Sequence, residues 1–182
     1  MRRHADLKRN WAKLIGGPSI DSFHSPSVLD GSAVVALNWM PYRLGMAVFS
    51  HPRTVLFQEV DAAGVVFFAR FFEWFHDAYV AWFASRGIHL ADTIKEGVWG
   101  LPIGRAEAEY HAPLSFGDEI RVELENVTLS ARSIVIEYVV LGPKGRHATG
   151  KTVHVFVDRT TFRPTSVPDE VRRALALPAE DG

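Results

Sequence analysis

Phe71-Phe72-Glu73-Trp74-Phe75-His76-Asp77-Ala78-Tyr79-Val80-Ala81-Trp82-Phe83 is the stretch that decides the fold. Phe71, Trp74, Phe75, Ala78, Tyr79, Trp82 and Phe83 recur at the i, i+3, i+4, i+7 spacing of one helical face, while Glu73, His76 and Asp77 fall on the other. Gly87 supplies a stop. At about 1.5 Å per residue, a helix of roughly 17 residues is about 25 Å long, enough to cross a small sheet. A stripe so wide and so rich in rings requires a cover.

The flanking text supplies one. Arg105 to His111 and Glu119 to Leu124 alternate polar and apolar residues, and Ser133 to Leu141 is a β-branched run. Gly142-Pro143-Lys144-Gly145 turns the chain, and Thr152 to Val157 runs back, so four antiparallel strands are expected after the helix. Before it, Arg53 to Val60 reads as a strand that stops at Asp61-Ala62-Ala63-Gly64. Pro168 to Leu177 reads as a short tail helix, with Asp169 and Glu170 in its first turn where they suit the helix dipole. The economical architecture is α+β: a curved antiparallel sheet wrapped around one long central helix.

Composition narrows the class further. The 182 residues allow one domain and some extra length, and 47% hydrophobic against 23% charged residues excludes wholesale disorder. Twenty Lys and Arg against 21 Asp and Glu leave a formal charge of −1, which offers no global field for nucleic acid or an anionic membrane. There is no cysteine, so disulfides, thiolate nucleophiles and iron–sulfur ligation are excluded, and a reducing, cytoplasmic setting fits. No uninterrupted apolar run reaches the roughly 18 residues of a membrane span.

Residues 1–45 carry a net +3 and the remainder −4. Gly16-Gly17-Pro18-Ser19 and Ser25-Pro26-Ser27 break any period there. The segment reads as a poorly ordered basic extension, either a targeting peptide or sequence ahead of a start at Met40 or Met46. Residues 46–182 form the expected domain.

Asp61 is the residue most suited to chemistry, because it closes the first strand and precedes Val65-Val66-Phe67-Phe68, the entry to the apolar helix. A carboxylate there lies near the unsatisfied N–H groups of a helix N-terminus, which can polarise a carbonyl oxygen. Equally, Asp61 can be a turn residue bonding its own backbone ahead of Gly64. Gly145-Arg146-His147-Ala148-Thr149-Gly150-Lys151-Thr152 satisfies the phosphate-loop pattern, but Val153 to Val157 continues it as a strand where such a loop must open a helix. It is read as a chance match, with Lys151 at most a surface contact for a phosphate. No serine elbow and no His-Glu-x-x-His pair occurs, and the eight histidines are dispersed, so neither metal nor cofactor is expected.

The run Phe57-Gln58-Glu59-Val60-Asp61-Ala62-Ala63-Gly64-Val65-Val66-Phe67-Phe68, continuing through Phe72-Glu73-Trp74, resembles the signature of the 4-hydroxybenzoyl-CoA thioesterase family of hotdog-fold proteins. Leu101-Pro102-Ile103, Ala108 to Leu114 and Gly117-Asp118 extend the likeness, which covers about residues 47–177. The resemblance implies an acyl-CoA substrate, subunits paired through their sheets as homodimers or homotetramers, Asp61 as the catalytic carboxylate and the Phe68 backbone N–H on the thioester oxygen. It also implies that a cation in Leu129-Ser130-Ala131-Arg132-Ser133 meets the coenzyme's phosphates, which points to Arg132. The text His76 to Ala84, with Asp158 to Pro168, is most similar to the branch acting on 1,4-dihydroxy-2-naphthoyl-CoA. Phe67 beside the site suits a flat aromatic acyl group, and His76 a ring hydroxyl. Another hotdog branch uses a glutamate on the central helix, which makes Glu73 the reserve carboxylate. A non-catalytic module that binds an acyl-CoA or acyl-carrier thioester is the alternative.

Overall fold

The structure is a computed structural model that describes residues 47–175. The N-terminal extension read over residues 1–45 lies outside the described residues. Among those described, β1 (Phe49–Thr54), β3 (Ile103–Tyr110), β4 (Glu119–Leu129), β5 (Ser133–Gly142) and β6 (Gly145–Val155) form one five-stranded sheet in the order β1-β4-β5-β6-β3. Every neighbouring pair is antiparallel. A second, two-stranded sheet joins β2 (Trp99–Gly100) to β7 (Val157–Asp158). The helices are α1 (Arg70–Ser85), α2 (Leu90–Glu96) and α3 (Asp169–Ala174).

The chain leaves the sheet from one edge, β1, and re-enters at the other, β3. The longer of the two α-helices between them is α1, whose whole expected stripe is buried: Phe71, Trp74, Phe75, Ala78, Tyr79, Trp82 and Phe83. It packs on the inner face of β4, β5 and β6, where Ile120, Val122, Leu124, Ile134, Ile136, Tyr138 and Val140 alternate inward. Phe75 stacks on Tyr138 with ring centroids 4.7 Å apart. At about 1.5–3 kcal/mol for each large apolar side chain removed from water, this interface supplies most of the fold's driving force. Gly150 on β6 makes the approach possible, since a Cβ there would lie 2.2 Å from Phe75 Cε2.

The Gly-Lys-Thr text falls inside β6, in extended strand, so the phosphate-loop pattern has no helix to open. Strand alternation turns Gly150 toward the helix and leaves Lys151 beside Glu137 of β5. Two expectations need correction. The first strand is Phe49–Thr54 rather than Arg53 to Val60, and Phe57–Glu59 is a 3₁₀ turn. The last expected strand, Thr152 to Val157, is interrupted at Phe156, which separates β6 from the short β7. The tail helix begins at Asp169, with Pro168 at its cap.

Candidate active site

Between β1 and α1 the chain makes a small antiparallel ladder. Phe67 N–H donates to Glu59 O at 2.9 Å, Asp61 N–H to Val65 O at 2.9 Å, and Val60 bridges Val66. Gly64 closes the turn, its N–H bonding Asp61 O at 2.9 Å and its φ of 76° lying in the left-handed region that a side chain disfavours. Asp61 sits at the tip, exposed, with Oδ1 accepting from Ala63 N–H at 2.8 Å. The turn-residue role is therefore present in the structure. The other carboxylate oxygen, Oδ2, makes no hydrogen bond among the described residues.

The ladder delivers the chain directly into α1. Ala69 at the N-cap position offers no side-chain bond, and the first turn tightens through Arg70 N–H to Phe67 O at 3.0 Å and Phe72 N–H to Ala69 O at 3.1 Å. Phe68 N–H finds no acceptor among the described residues, whereas its carbonyl accepts from the Tyr110 hydroxyl at 3.1 Å. An uncapped helix start of this kind presents donors and a partial positive charge to any oxygen placed before it. The rings of Phe67 and Phe68 pack on each other at 4.6 Å and stand 44% and 57% exposed at this entry.

The remaining candidates lie on other parts of the fold. Glu73, one turn into α1, is exposed and held by Arg70 Nη1 at 2.8 Å from both carboxylate oxygens. His76 is about 9 Å further along the helix axis than Arg70. It lines a mostly apolar cavity of about 310 Å³ with Tyr79, Val80, Trp99 and Leu101, and its Nδ1 lies 3.0 Å from the Tyr79 hydroxyl. Burial raises that phenol to about 12. Arg132 occupies the β4–β5 turn, exposed and without an ion-pair partner among the described residues. Lys151 is paired with Glu137 at 2.9 Å among Glu107, Glu109 and Glu125, and that bond holds the Glu137 carboxyl below its ordinary range.

Three relevant residues carried no sequence signal. Glu59 is buried, though a lone glutamate in a loop ordinarily reads as solvated. Tyr110 reaches Phe68 from the far edge strand, a contact that only the sheet order creates. Arg172 of α3 donates to Ser130 O at 3.3 Å, which brings a second cation to the Arg132 turn. Among the described residues no group of three or more His, Asp or Glu could hold a metal ion, and no helix is long and apolar enough to cross a membrane.

Comparison with known proteins fixes the class. Residues 55–175 match the family model of the thioesterase-like superfamily. The chain is 31% identical over 136 residues to the 1,4-dihydroxy-2-naphthoyl-CoA hydrolase of Synechococcus elongatus, covering 74% of this chain and 100% of that one. A solved 1,4-dihydroxy-2-naphthoyl-CoA thioesterase from Synechocystis superposes with a TM-score of 0.66 at 29% identity, over 69% of this chain and 93% of its own. A gentisyl-coenzyme A thioesterase superposes with a TM-score of 0.63 at 26% identity, over 70% and 99%. The chain belongs to the thioesterase-like superfamily and has the hotdog fold. It is a thioester hydrolase.

Proposed function

We propose that this enzyme hydrolyses an aromatic acyl-CoA to the free acid and coenzyme A, with 1,4-dihydroxy-2-naphthoyl-CoA the leading substrate and 4-hydroxybenzoyl-CoA the next. The observation that supports this reading is one short ladder that carries an exposed Asp61 carboxylate at its tip and leads, past a Phe68 N–H with no acceptor among the described residues, into an uncapped helix start. Each relative described above is named for a hydroxylated aromatic acyl-CoA, which supports the acyl class.

In this reading the thioester oxygen accepts from Phe68 N–H, which stabilises the negative charge that forms when the carbonyl is attacked. Asp61 either attacks the carbonyl carbon, giving a mixed anhydride that water then cleaves, or takes a proton from an attacking water. The carbon–sulfur bond breaks in either route. The departing thiolate has a conjugate acid with a pKa near 8.5 and needs little help from an acid. Phe67 flanks the acyl ring, His76 with Tyr79 offers a polar edge to a ring hydroxyl, and Arg132 meets a coenzyme phosphate. Lys151, held by Glu137, is at most a further surface contact for a phosphate.

The catalytic domain is residues 46–182, acting in the cytoplasm as a homodimer or homotetramer. Strand β3 supports association: it is an edge, and Ala106, on the inner face, is exposed where the other strands are covered. The decisive experiment offers purified protein a panel of aromatic and aliphatic acyl-CoAs with a thiol-trapping readout. Turnover led by hydroxyaromatic substrates is expected. Binding without thiol release would instead identify an acyl-CoA binding module.

A further inference from the structure

Glu59 stands two residues before Asp61, is 6% exposed, and is tied to three different parts of the domain. Its Oε1 accepts from Trp74 Nε1 of α1 at 2.8 Å and from Arg53 Nη2 of β1, and its Oε2 accepts from Leu56 N–H at 2.7 Å. Its own carbonyl accepts the Phe67 N–H. Arg53 in turn lies over the Trp74 ring at 4.6 Å. One carboxylate therefore joins the end of β1, the 3₁₀ turn and the first turns of α1, and its backbone begins the ladder that carries Asp61 at its tip and leads past Phe68 into α1.

A buried carboxylate with three donors is costly to disturb, because each donor left behind loses its partner away from water. This arrangement does more than hold the core. Besides the apolar packing of Val66 and Val60 in the core, the ladder has no other side-chain hydrogen bond to α1 among the described residues apart from Arg70, whose Nη2 reaches Gln58 O at a long 3.4 Å. We propose that Glu59 is a positioning residue for thioester hydrolysis: acting through Trp74, Arg53 and Leu56, it fixes the Asp61 carboxylate relative to the Phe68 N–H. The proposal rests on the reading of those two groups as the reacting site.

The test is Glu59→Gln in the full chain, assayed well below its melting temperature. Gln keeps the shape but presents an amide NH₂ where a donor already points. The expected result is a fall in kcat of about tenfold or more with KM for the acyl-CoA changed less than about twofold, as lost alignment without lost binding requires. An unchanged kcat in a protein that merely melts earlier overturns the proposal, since a purely structural role moves only the melting temperature. Should E59Q fail to fold, Trp74→Phe removes a single donor and carries the test, with a fall in kcat at constant KM expected and an unchanged kcat again fatal. Wild-type protein that is silent toward every acyl-CoA removes the proposal together with the thioesterase reading. An active wild type, a silent Asp61→Asn and an unaffected E59Q defeat the positioning claim alone.

Discussion

The Tyr110 hydroxyl donates to the carbonyl of Phe68 at 3.1 Å, so the edge strand β3 holds the backbone two residues ahead of the central helix. Burial raises this phenol above its ordinary range, so it remains a donor across the working pH. Removing the hydroxyl deletes one hydrogen bond worth about 1 kcal/mol and releases one side of Phe68. Tyr110→Phe is expected to lower kcat by roughly two- to fivefold with the fold intact, measured by steady-state kinetics alongside circular dichroism.

Asp61→Asn separates the chemical role from the turn. Asn keeps an Oδ1 to accept the Ala63 N–H, so the ladder survives, while the charge needed for attack or proton transfer is gone. Thiol release is expected to fall by at least about 100-fold with an unchanged melting temperature. Glu73→Gln loses only an exposed pair with Arg70, and its turnover is expected to stay within about twofold of wild type. The reverse ranking of the two variants would move the catalytic carboxylate to the helix.

Arg172 reaches the Ser130 carbonyl of the β4–β5 turn that carries Arg132, where phosphates are proposed to sit. Arg132→Ala is expected to raise KM for the acyl-CoA by about fivefold, equivalent to roughly 1 kcal/mol, at near-constant kcat. A short thioester lacking the nucleotide serves as control. Equal losses on both substrates would place Arg132 away from the coenzyme.

His154 on β6 is fully buried, and burial, aided by the nearby His76, lowers its pKa to about 4 from 6.5. The unfolded chain therefore binds this proton first as the pH drops. The associated stability is intact above pH 6.5 and is lost as the pH falls from there through about 4, amounting to about 3 kcal/mol. His147, also buried and shifted downward by burial, acts in the same direction. Denaturant melts of wild type and His154→Gln across this window should show a flatter profile for the variant, and parallel profiles would contradict the assignment.

Gly150→Ala probes the helix–sheet contact. Phe75 is fully buried and stacked on Tyr138, so its ring has nowhere to yield to a Cβ 2.2 Å away. Overpacking of about 1–3 kcal/mol is expected, lowering the melting temperature by roughly 4–10 °C. Gly104, where a Cβ would meet Val155 at an ordinary 3.4 Å, is the near-neutral control.

The helix and the later strands were legible because their periodicity is set by burial, and α1 buries the residues that its spacing selects. The first strand was misplaced for a reason that is equally physical. Thr54-Val55-Leu56-Phe57 has strand-like composition, yet the ladder forms over Phe49–Thr54 in spite of Pro52, because β1 is an edge strand where a missing N–H costs little. Phe57–Glu59 coils because the Glu59 side chain turns inward to Trp74 and Arg53, a long-range demand invisible to local propensity. Asp61 is singled out in the sequence by its place ahead of the apolar helix, and the Phe68 N–H by the family resemblance; both are proposed reacting groups. The supports around them, Glu59 and Tyr110, come from tertiary contacts that no spacing encodes.

On the outer surface of the sheet, charges are matched neighbour to neighbour: Arg105 with Glu107, Arg121 with Glu123, Lys151 with Glu137, Arg146 with Glu125. Such a mosaic gives a passing polyanion little grip. Pressing it dry against an oily partner would strip water from both signs at once, at a price that exposed pairs of this strength do not repay. The grip of each of these exposed pairs on its neighbour weakens as salt is added.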